Sequence, residues 1–312
     1  MFEDRAYGSF LGLAIGDAYG RSLEFLNGPI VRRRRVAIPS DFFMWTDDTH
    51  MALYLTDALE ALGKEKLSAF TEDDVGGAVG RAFATWLDDP MTPQSAPGKT
   101  CLRGAAAFAA SHDWKTSGDP ESDGCGAVMR IAPLPIVLSG TSLVRAARVQ
   151  ALVTHAHPNA PAAAAVGCLI QRALLQGHPL TGETLAKVMA MAKKGGVLTD
   201  TVEAAVNAAI AQAGRDTLEW LDEEAIPEGD GGWRSPSALG LALTAALRWG
   251  DDPAVAIEKA ARINGDSDSV ACLTGMMLGA THGRKGLPEA WVRHLPYRET
   301  IERAVRRLLA LI

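Results

Sequence analysis

The chain has 312 residues, of which 47% are apolar and 22% charged, so it carries enough apolar material for a large core. This composition excludes a disordered or collagen-like chain. Thirty-one basic residues against 37 acidic residues give a formal net charge of −6. With that charge, no global positive field is available to hold nucleic acid or an anionic membrane surface.

Neither a membrane span nor an export signal is indicated. The most apolar late segment, residues 270–280, is far shorter than the roughly 20 residues that cross a bilayer. Glu3 and Asp4 stand where a secretory signal has basic residues. Four cysteines occur without a Cys-x-x-Cys pair, which fits neither a zinc ribbon nor a disulfide framework. We expect a cytoplasmic protein with reduced thiols, no membrane contact and no general affinity for nucleic acid.

In chain order, the first long stretch without helical periodicity is residues 27–43, which contain the consecutive arginines Arg32, Arg33, Arg34 and Arg35. A solvated surface run and a mobile flap that meets an anionic ligand both explain them. Elsewhere, apolar residues at i, i+4, i+7 and i+11 predict amphipathic helices. They form three stripes: Met51, Leu55, Ala58 and Leu62; Val75, Val79, Ala82 and Trp86; Ile301, Val305, Leu308 and Ile312.

Turn and cap residues place the ends of helices. Predicted starts are Thr71 with Asp74, Asp200 with Glu203, Ser235 before Pro236, and Asp252 before Pro253. Predicted ends are Gly63, Gly177 and Gly214. Residues 128–138 are the best strand candidate, but two prolines remove ladder donors there, so we expect an irregular segment. The prediction is an all-α protein of about a dozen helices in one domain, residues 1–312, with small residues that permit close helix contacts.

Two acidic segments, one near each end of the chain, carry the chemistry. They are WTDDT at residues 45–49 and NGDSDS at residues 264–269. Each opens a predicted helix with two carboxylates and a hydroxyl, and N-capping explains one acid at each start. Residues 270–280 are apolar on nearly all sides, so we expect this helix to be buried. Unpaired buried charge is costly, and capping therefore does not explain why the helix begins with two acids.

A pair of cations is the alternative explanation. If the two helix starts converge, four carboxylates balance two divalent ions, and such oxygen donors select Mg²⁺, Mn²⁺ or Ca²⁺ over zinc. From the spacing alone, separate caps and a dinuclear metal site both remain open.

Five motifs follow one another along the chain. They are GDAYG at residues 16–20 with Glu24 after it, WTDDTHM at 45–51, GCGAVMRIAP at 124–133, THAHP at 154–158 and GDSDS at 265–269. Together they resemble the motifs of the ADP-ribosylglycohydrolase family, the enzymes of the dinitrogenase-reductase-activating type. The resemblance implies an all-helical, mostly monomeric bundle with two Mg²⁺ ions, or Mn²⁺, at the bottom of a cleft.

The activity that the resemblance implies is a glycosidase-type hydrolysis. It breaks the bond at the anomeric carbon of the distal ribose in an ADP-ribosylated protein side chain, nucleic acid or small molecule. The metals would activate water and orient substrate, and anionic ligands would stabilise the oxocarbenium-like carbon.

Carried over position by position, the resemblance assigns roles to residues of this chain. The implied metal ligands are Thr46, Asp47, Asp48, Asp266, Asp268 and Ser269. Glu24 would lie in a loop over the site and gate it or position substrate, unless it is only a surface acid on that loop. Asp47, Asp48 or Asp266 would be the acid/base partner of a bound water. The residues implied to line the pyrophosphate and ribose positions are Gly98, Cys125, Gly126, Ala127 and His155.

This chain also departs from the family pattern. Residues 94–100 lack the aspartate typical of members that act on ADP-ribosyl-arginine, which puts arginine specificity in doubt. Cys125, Gly126 and Ala127 stand where members often have Asn-Gly-Ser. We therefore expect substrate contacts through backbone amides at these positions.

Individual side chains have two interpretations each. Lys99 is a solvated loop lysine or a phosphate contact. His155 and His157 are hydrogen-bonding groups or contacts to ribose or phosphate, and Trp45 is a packing residue or a platform for adenine or ribose. Arg130 braces a buried loop or contacts phosphate, and we expect bracing. Two other functions stay open: a non-catalytic crystallin-like or ADP-ribose-binding relative, and a dinuclear phosphoesterase on ADP-ribose derivatives.

Overall fold

The computed structural model describes residues 1–26, 28–34, 36 and 43–312, and over these residues the protein is helical. The α-helices are α1 (Phe2–Arg21), α2 (Gly28–Val31), α3 (Asp47–Ser68), α4 (Glu72–Leu87), α5 (Lys99–Ser111), α6 (Trp114–Ser117), α7 (Leu134–Val137), α8 (Gly140–Leu152), α9 (Asn159–Leu175), α10 (Gly182–Lys194), α11 (Asp200–Ala213), α12 (Ser235–Trp249), α13 (Pro253–Ala261), α14 (Ser267–His282), α15 (Glu289–His294) and α16 (Arg298–Leu309). Short 3₁₀ turns lie at Thr92–Gln94, Cys125–Ala127, Glu223–Ala225 and Arg284–Gly286.

The all-α prediction is confirmed. Within the described ranges, β pairing is limited to two isolated bridges, Asp119 with His155 and Gly124 with Arg234. None of the helices described is long and apolar enough to cross a membrane.

The three apolar stripes lie on α3, α4 and α16 and mostly face the core. Leu62 and Ala82 are only half-buried, at the edges of their stripes. Ile312 departs from the prediction: α16 ends at Leu309, so Ile312 lies beyond the helix and is 52% exposed. The irregular segment predicted at residues 128–138 is confirmed, with the single turn of α7 inside it.

Side-chain caps fix several helix starts. Two predicted caps are confirmed, the Thr71–Asp74 capping box before α4 and Asp252 before α13. The other two predictions were off by one residue. Thr199, not Asp200, caps α11 with its side-chain oxygen. Ser235 is the first residue of α12 and does not cap it. Its hydroxyl instead donates to the Gly124 carbonyl at 2.6 Å, a tertiary contact that leaves the hydroxyl unavailable for capping.

The glycine predictions are confirmed. α9 and α11 stop just before Gly177 and Gly214. Gly63 has a non-helical φ of +73°, so it ends the first segment of α3, and a second helical segment follows the kink and runs to Ser68.

Part of the arginine-rich stretch at residues 27–43 is helical rather than a loop, as α2. Arg32, Arg33 and Arg34 are exposed after it. Arg35, with residues 27 and 37–42, lies outside the described residues, so the flap interpretation of that part stays a prediction.

The centre of the fold is an antiparallel contact between α1 and α14. Four glycines of α1, spaced every four residues, face the backbone of α14: Gly8, Gly12, Gly16 and Gly20. A Cβ added at Gly12 would lie 2.0 Å from the Gly275 carbonyl oxygen, and one at Gly20 would lie 2.4 Å from the Cα of Asp268. The helices therefore touch backbone to backbone, which only glycine permits. As predicted, α14 is buried all round, from Ser267 to Ala280.

Replacing one of these glycines tests the contact. Gly12→Ala should lower the free energy of unfolding by about 2 to 3 kcal/mol, because the new methyl group meets a backbone carbonyl that cannot rotate away. The matched control is Gly77→Ala in α4, where the Cβ meets only the tip of the Arg81 side chain. It should be neutral or stabilising by up to about 1 kcal/mol. Denaturant unfolding measures both, and equal stability of the two variants would contradict the contact.

Candidate active site

The start of α3 is held by a buried carboxylate of α1. Asp17, 0% exposed, accepts hydrogen bonds from the Thr46 amide at 2.8 Å, the Thr49 amide at 3.0 Å and the Thr49 hydroxyl at 2.6 Å. Because Gly20, one turn further along α1, lies against Asp268, the same helix positions both acidic segments. The first turn of α3 and the first turn of α14 therefore open into one cleft.

The cleft has a volume of about 290 Å³ and an acidic floor. The carboxylates that line it are Glu24, Asp47, Asp48, Asp266 and Asp268, joined by Ser269. Asp47 is tied to the cleft wall, since its amide donates to the Ser95 carbonyl at 2.8 Å and its Oδ2 accepts from the Gly98 amide at 3.0 Å. The two acidic helix starts, distant in sequence, thus lie side by side.

Crowding makes these carboxylates hard to ionise. Burial, and next the charge of Asp268, raise the pKa of Asp17 to about 7. Burial and the charge of Asp268 together raise the pKa of Asp47 to about 8, and the hydrogen bond from Gly98 acts in the opposite direction. Burial, Asp268 and Asp47 raise the pKa of Glu24 to about 9. The cluster therefore stores electrostatic repulsion that a cation would relieve.

Asp48 is the least satisfied member of the cluster. Its Oδ1 is 3.5 Å from the Thr46 hydroxyl, while its buried Oδ2 has no hydrogen-bond partner in the part of the chain that the structure describes. Burial and the charges of Asp268 and Asp17 raise its pKa well above the usual range. Across the described residues, no three His, Cys, Asp or Glu side chains are already arranged as a formed metal site. The floor offers unsatisfied oxygen donors but not closed coordination.

A thiol and an imidazole form another wall. The Cys125 thiol donates to Asp266 Oδ2 at 2.7 Å, and burial raises the pKa of both groups well above their usual ranges. His155 is buried, and its Nδ1 is 2.8 Å from the Thr154 hydroxyl. Burial, then the charges of Arg130 and Arg103, lower its pKa to about 3, so the imidazole is neutral. Gly126 lies so close that a Cβ there would be 2.7 Å from the His155 ring.

The third wall is the start of α5. Gly98 precedes the helix and has no side chain to cap it, so the first amides of α5 have no acceptor from the N-cap residue at this positive helix end, which lines the cleft. Lys99 and Thr100 line the same wall, and Lys99 is exposed. Amides, a cation and a neutral imidazole are the groups that bind phosphate and ribose oxygens.

Two residues with open interpretations are structural. Arg130 is fully buried and donates to Gln150 Oε1 and the Thr154 hydroxyl, both at 2.8 Å. Its guanidinium lies 4.4 Å from the Phe83 ring, so it braces the loop, as expected. Trp45 is 2% exposed, donates from its indole to the Pro296 carbonyl at 3.1 Å and does not line the cleft. It is a packing residue.

Not every predicted site residue reaches the cleft surface. Thr46 is buried, and its hydroxyl caps α3 at the Asp48 amide. Ala127 is buried beneath the floor, where its carbonyl accepts from the Gln150 side chain. His157 lies outside the cleft, within 3.8 Å of Asp123. Of the described arginines at 32–34, none lines the cleft.

Two residues of the site were missed from the sequence. Asp17 was part of a motif but had no role, although a lone aspartate inside an otherwise apolar helix was a usable signal. Trp233 lines the cleft mouth from an irregular segment whose position the sequence does not encode. Its only local signal is the glycine pair before it.

Comparison with known proteins agrees with this architecture. The family model for ADP-ribosylglycohydrolase matches residues 1–312. The chain is 28% identical to an ADP-ribosylarginine hydrolase Tri1 from Serratia proteamaculans, over 98% of this chain and 79% of the relative. It is also 28% identical to the ADP-ribosyl-[dinitrogen reductase] glycohydrolase of Rhodospirillum rubrum, over 99% and 97% of the two chains. A solved structure titled ADP-ribosylglycohydrolase-related protein complex superposes with a TM-score of 0.74 at 27% identity, covering 99% and 98%.

The fold and these matches define a hydrolase of the glycosidase type. The chain belongs to the ADP-ribosylglycohydrolase family, as its motifs indicated, and its general activity is ADP-ribosyl hydrolysis.

The crowded carboxylates predict an unusual pH dependence of stability. In a chelating buffer, the unfolding temperature should fall as the pH rises from about 4 to about 8. The folded pKa values of about 7 for Asp17 and about 8 for Asp47 lie above the unfolded value of 3.8. The folded state therefore binds more protons across this window, and stability present below pH 3.8 is lost as the pH passes the raised pKa values.

Circular dichroism melts at pH 5, 6.5 and 8 measure this trend. Asp48→Asn removes one of the interacting charges and should flatten it. Asp200→Asn, on the exposed start of α11, should keep the wild-type slope. A melting temperature that rises with pH would show that the cluster does not carry this repulsion.

Proposed function

We propose that the protein is a Mg²⁺-dependent hydrolase that cleaves the bond at the anomeric carbon of the distal ribose in an ADP-ribosylated molecule. The observation that supports this most is that five carboxylates line one cleft: Glu24, which follows α1, two from the start of α3 and two from the start of α14. Such a cluster is unfavourable for stability, which argues that it serves binding or chemistry.

The donor chemistry fits a pair of hard divalent ions. The cleft floor offers oxygen ligands, and the buried Oδ2 of Asp48, which has no hydrogen-bond partner among the residues the structure describes, could bind a cation. The residues proposed to hold two Mg²⁺, or Mn²⁺, are Thr46, Asp47, Asp48, Asp266, Asp268 and Ser269. When bound, the ions would supply charge neutralisation, water activation and orientation of ribose hydroxyls. Thr46 would serve only if its hydroxyl leaves the cap of α3.

The remaining walls suit the rest of the substrate. Amides at the start of α5, with Lys99 exposed beside them, would bind the pyrophosphate. Neutral His155 would hydrogen-bond a ribose hydroxyl or phosphate oxygen, and Gly126 leaves room because it has no side chain. Gly98 and Cys125 line the same surface. Contacts through backbone amides replace the amide and hydroxyl side chains that the chain lacks there.

A carboxylate of the floor would handle the proton. Breaking the glycosidic bond needs a group that takes a proton from water and one that protonates the leaving atom. Asp47, Asp48 and Asp266 are the candidates, since each lines the cleft and has a raised pKa. Glu24, at the mouth, would shield the site from water and position the substrate.

The names of the relatives favour an ADP-ribosylated protein as substrate, since one is a hydrolase of ADP-ribosylarginine and another of ADP-ribosylated dinitrogen reductase. That residues 1–312 form a single domain, and that the protein works as a cytoplasmic monomer, stay predictions from the sequence.

Release of ADP-ribose tests the proposal. Incubation with ADP-ribosyl-arginine, ADP-ribosyl-serine and ADP-ribose-1″-phosphate should give ADP-ribose from at least one substrate with Mg²⁺ and none after chelation. Phosphate release confined to the third substrate would favour a phosphoesterase. No product from any of them, in protein that melts cooperatively, would favour a non-catalytic relative.

Asp268→Asn should reduce turnover by about 100-fold, because it removes one proposed ligand charge while keeping the side-chain shape. Its helical circular dichroism should match the wild type. The matched control is Asp252→Asn, which keeps a good cap on α13 away from the cleft and should retain full activity. Wild-type turnover of Asp268→Asn would refute the ligand assignment.

A further inference from the structure

A second cavity, separate from the acidic cleft, lies between the start of α4, α8, α9 and the end of α10. It has a volume of about 520 Å³ and shares no lining residue with the cleft. Cavities of this size bind small molecules. Its apolar lining is entirely aliphatic: Val144, Leu169, Met191 and Val197. Met191 is 53% exposed, so part of this apolar surface is open to solvent.

Cations predominate around the aliphatic lining. Arg145, Arg148 and Lys194 line the cavity, and Glu72 is the one carboxylate among the described residues that does so. Arg148 lies 3.7 Å from Glu72, and in the part of the chain that the structure describes neither Arg145 nor Lys194 forms an ion pair. The cavity therefore carries an excess of positive charge in a chain whose net charge is −6. Such a setting attracts an anion.

Arg145 is held in place but lacks a partner for its charge. Its guanidinium lies over the Phe70 ring, 4.6 Å from the ring centroid. Its Nε is buried and has no hydrogen-bond acceptor among the described residues. A buried N–H without an acceptor is unfavourable, so an anion beside Arg145 would remove that cost. The planar guanidinium fits the two oxygens of a carboxylate.

The lining also indicates what the rest of the anion looks like. Over the described residues no aromatic ring lines the cavity, so a nucleobase would find no ring to stack on. A small inorganic anion would leave the aliphatic surface in water. A molecule with a hydrocarbon chain at one end and a carboxylate at the other uses both parts of the lining.

We propose that this cavity binds an aliphatic carboxylate of medium chain length. Its carboxylate would pair with Arg145 and Arg148, and its hydrocarbon chain would lie on Leu169 and Met191. Glu72 would oppose binding, because the ligand must replace it beside Arg148. The inference goes beyond the proposed hydrolase function and does not depend on it, since the cavity and the cleft are lined by different residues.

Calorimetry with hexanoate, octanoate and decanoate, each kept below its micelle concentration, tests the site on the full-length protein. The Kd should fall about 2- to 4-fold for each added methylene group, because each one buries more apolar surface. Octanol and octylammonium have the same chain as octanoate. They should bind at least about 10-fold more weakly than octanoate, because neither offers a charged acceptor to the arginines.

Variants of the lining test the assigned contacts. Arg145→Gln should raise the Kd for octanoate about 10-fold, because the charged donor is lost. Glu72→Gln should lower it about 2- to 5-fold, because the competing carboxylate is gone. The matched control is Arg81→Gln, which removes an exposed arginine of α4 outside the cavity and should keep the wild-type Kd. Circular dichroism melts check that each variant is folded.

Several results would overturn the inference. They are no octanoate binding to folded wild-type protein, equal affinity for octanoate and octylammonium, and an affinity that does not rise with chain length. A wild-type Kd in folded Arg145→Gln would overturn it as well. None of these readouts uses cleavage of an ADP-ribosylated molecule, so the inference and the proposed function can fail separately.

Discussion

The active-site region depends on the backbone contact between α1 and α14. Glycines at every fourth position of α1 let the two helices approach until carbonyl oxygens and Cα atoms meet. That approach puts Gly20 against Asp268, while Asp17, one turn earlier, holds Thr46 and Thr49 at the start of α3. One helix thus sets the distance between the two acidic segments. Glycines at this spacing lose the packing of side chains but allow the two helix backbones to come into contact. The cleft depends on that contact, because it brings the two acidic helix starts together.

The cleft opposes the stability of the fold that builds it. Five carboxylates line one small space, and the pKa values of Asp47 and Glu24 reach about 8 and about 9 because the charged forms are buried and repel each other. The apolar helices around the cleft offset this penalty, above all α14, which is buried along its length. A site that is unfavourable when empty binds cations more strongly, since binding removes repulsion as well as adding contacts.

Much of this architecture was readable from the sequence. The apolar periodicity predicted the buried faces of α3, α4 and α16. The need to balance buried charge indicated that the two acidic helix starts lie close together. What the sequence did not reveal depended on partners far along the chain. The role of Asp17 required knowing that the α3 start lies beside it, and Ser235 lost its predicted capping role to a contact with Gly124. Trp233 lies in an irregular segment, where no periodicity indicates which way a side chain points.

The α1–α14 contact also sets a sequence of events during synthesis. α1 is translated well before α14, and most of its residues from Ala6 to Gly20 are buried in the folded protein. Contacts between chain segments so far apart form late and slowly. Until then α14 does not cover the apolar side chains of α1, among them Phe10, Leu11 and Ile15, and the nascent chain is open to aggregation or to chaperones. The acidic cleft needs both helices, so it is complete only after α14 has been made and has packed against α1.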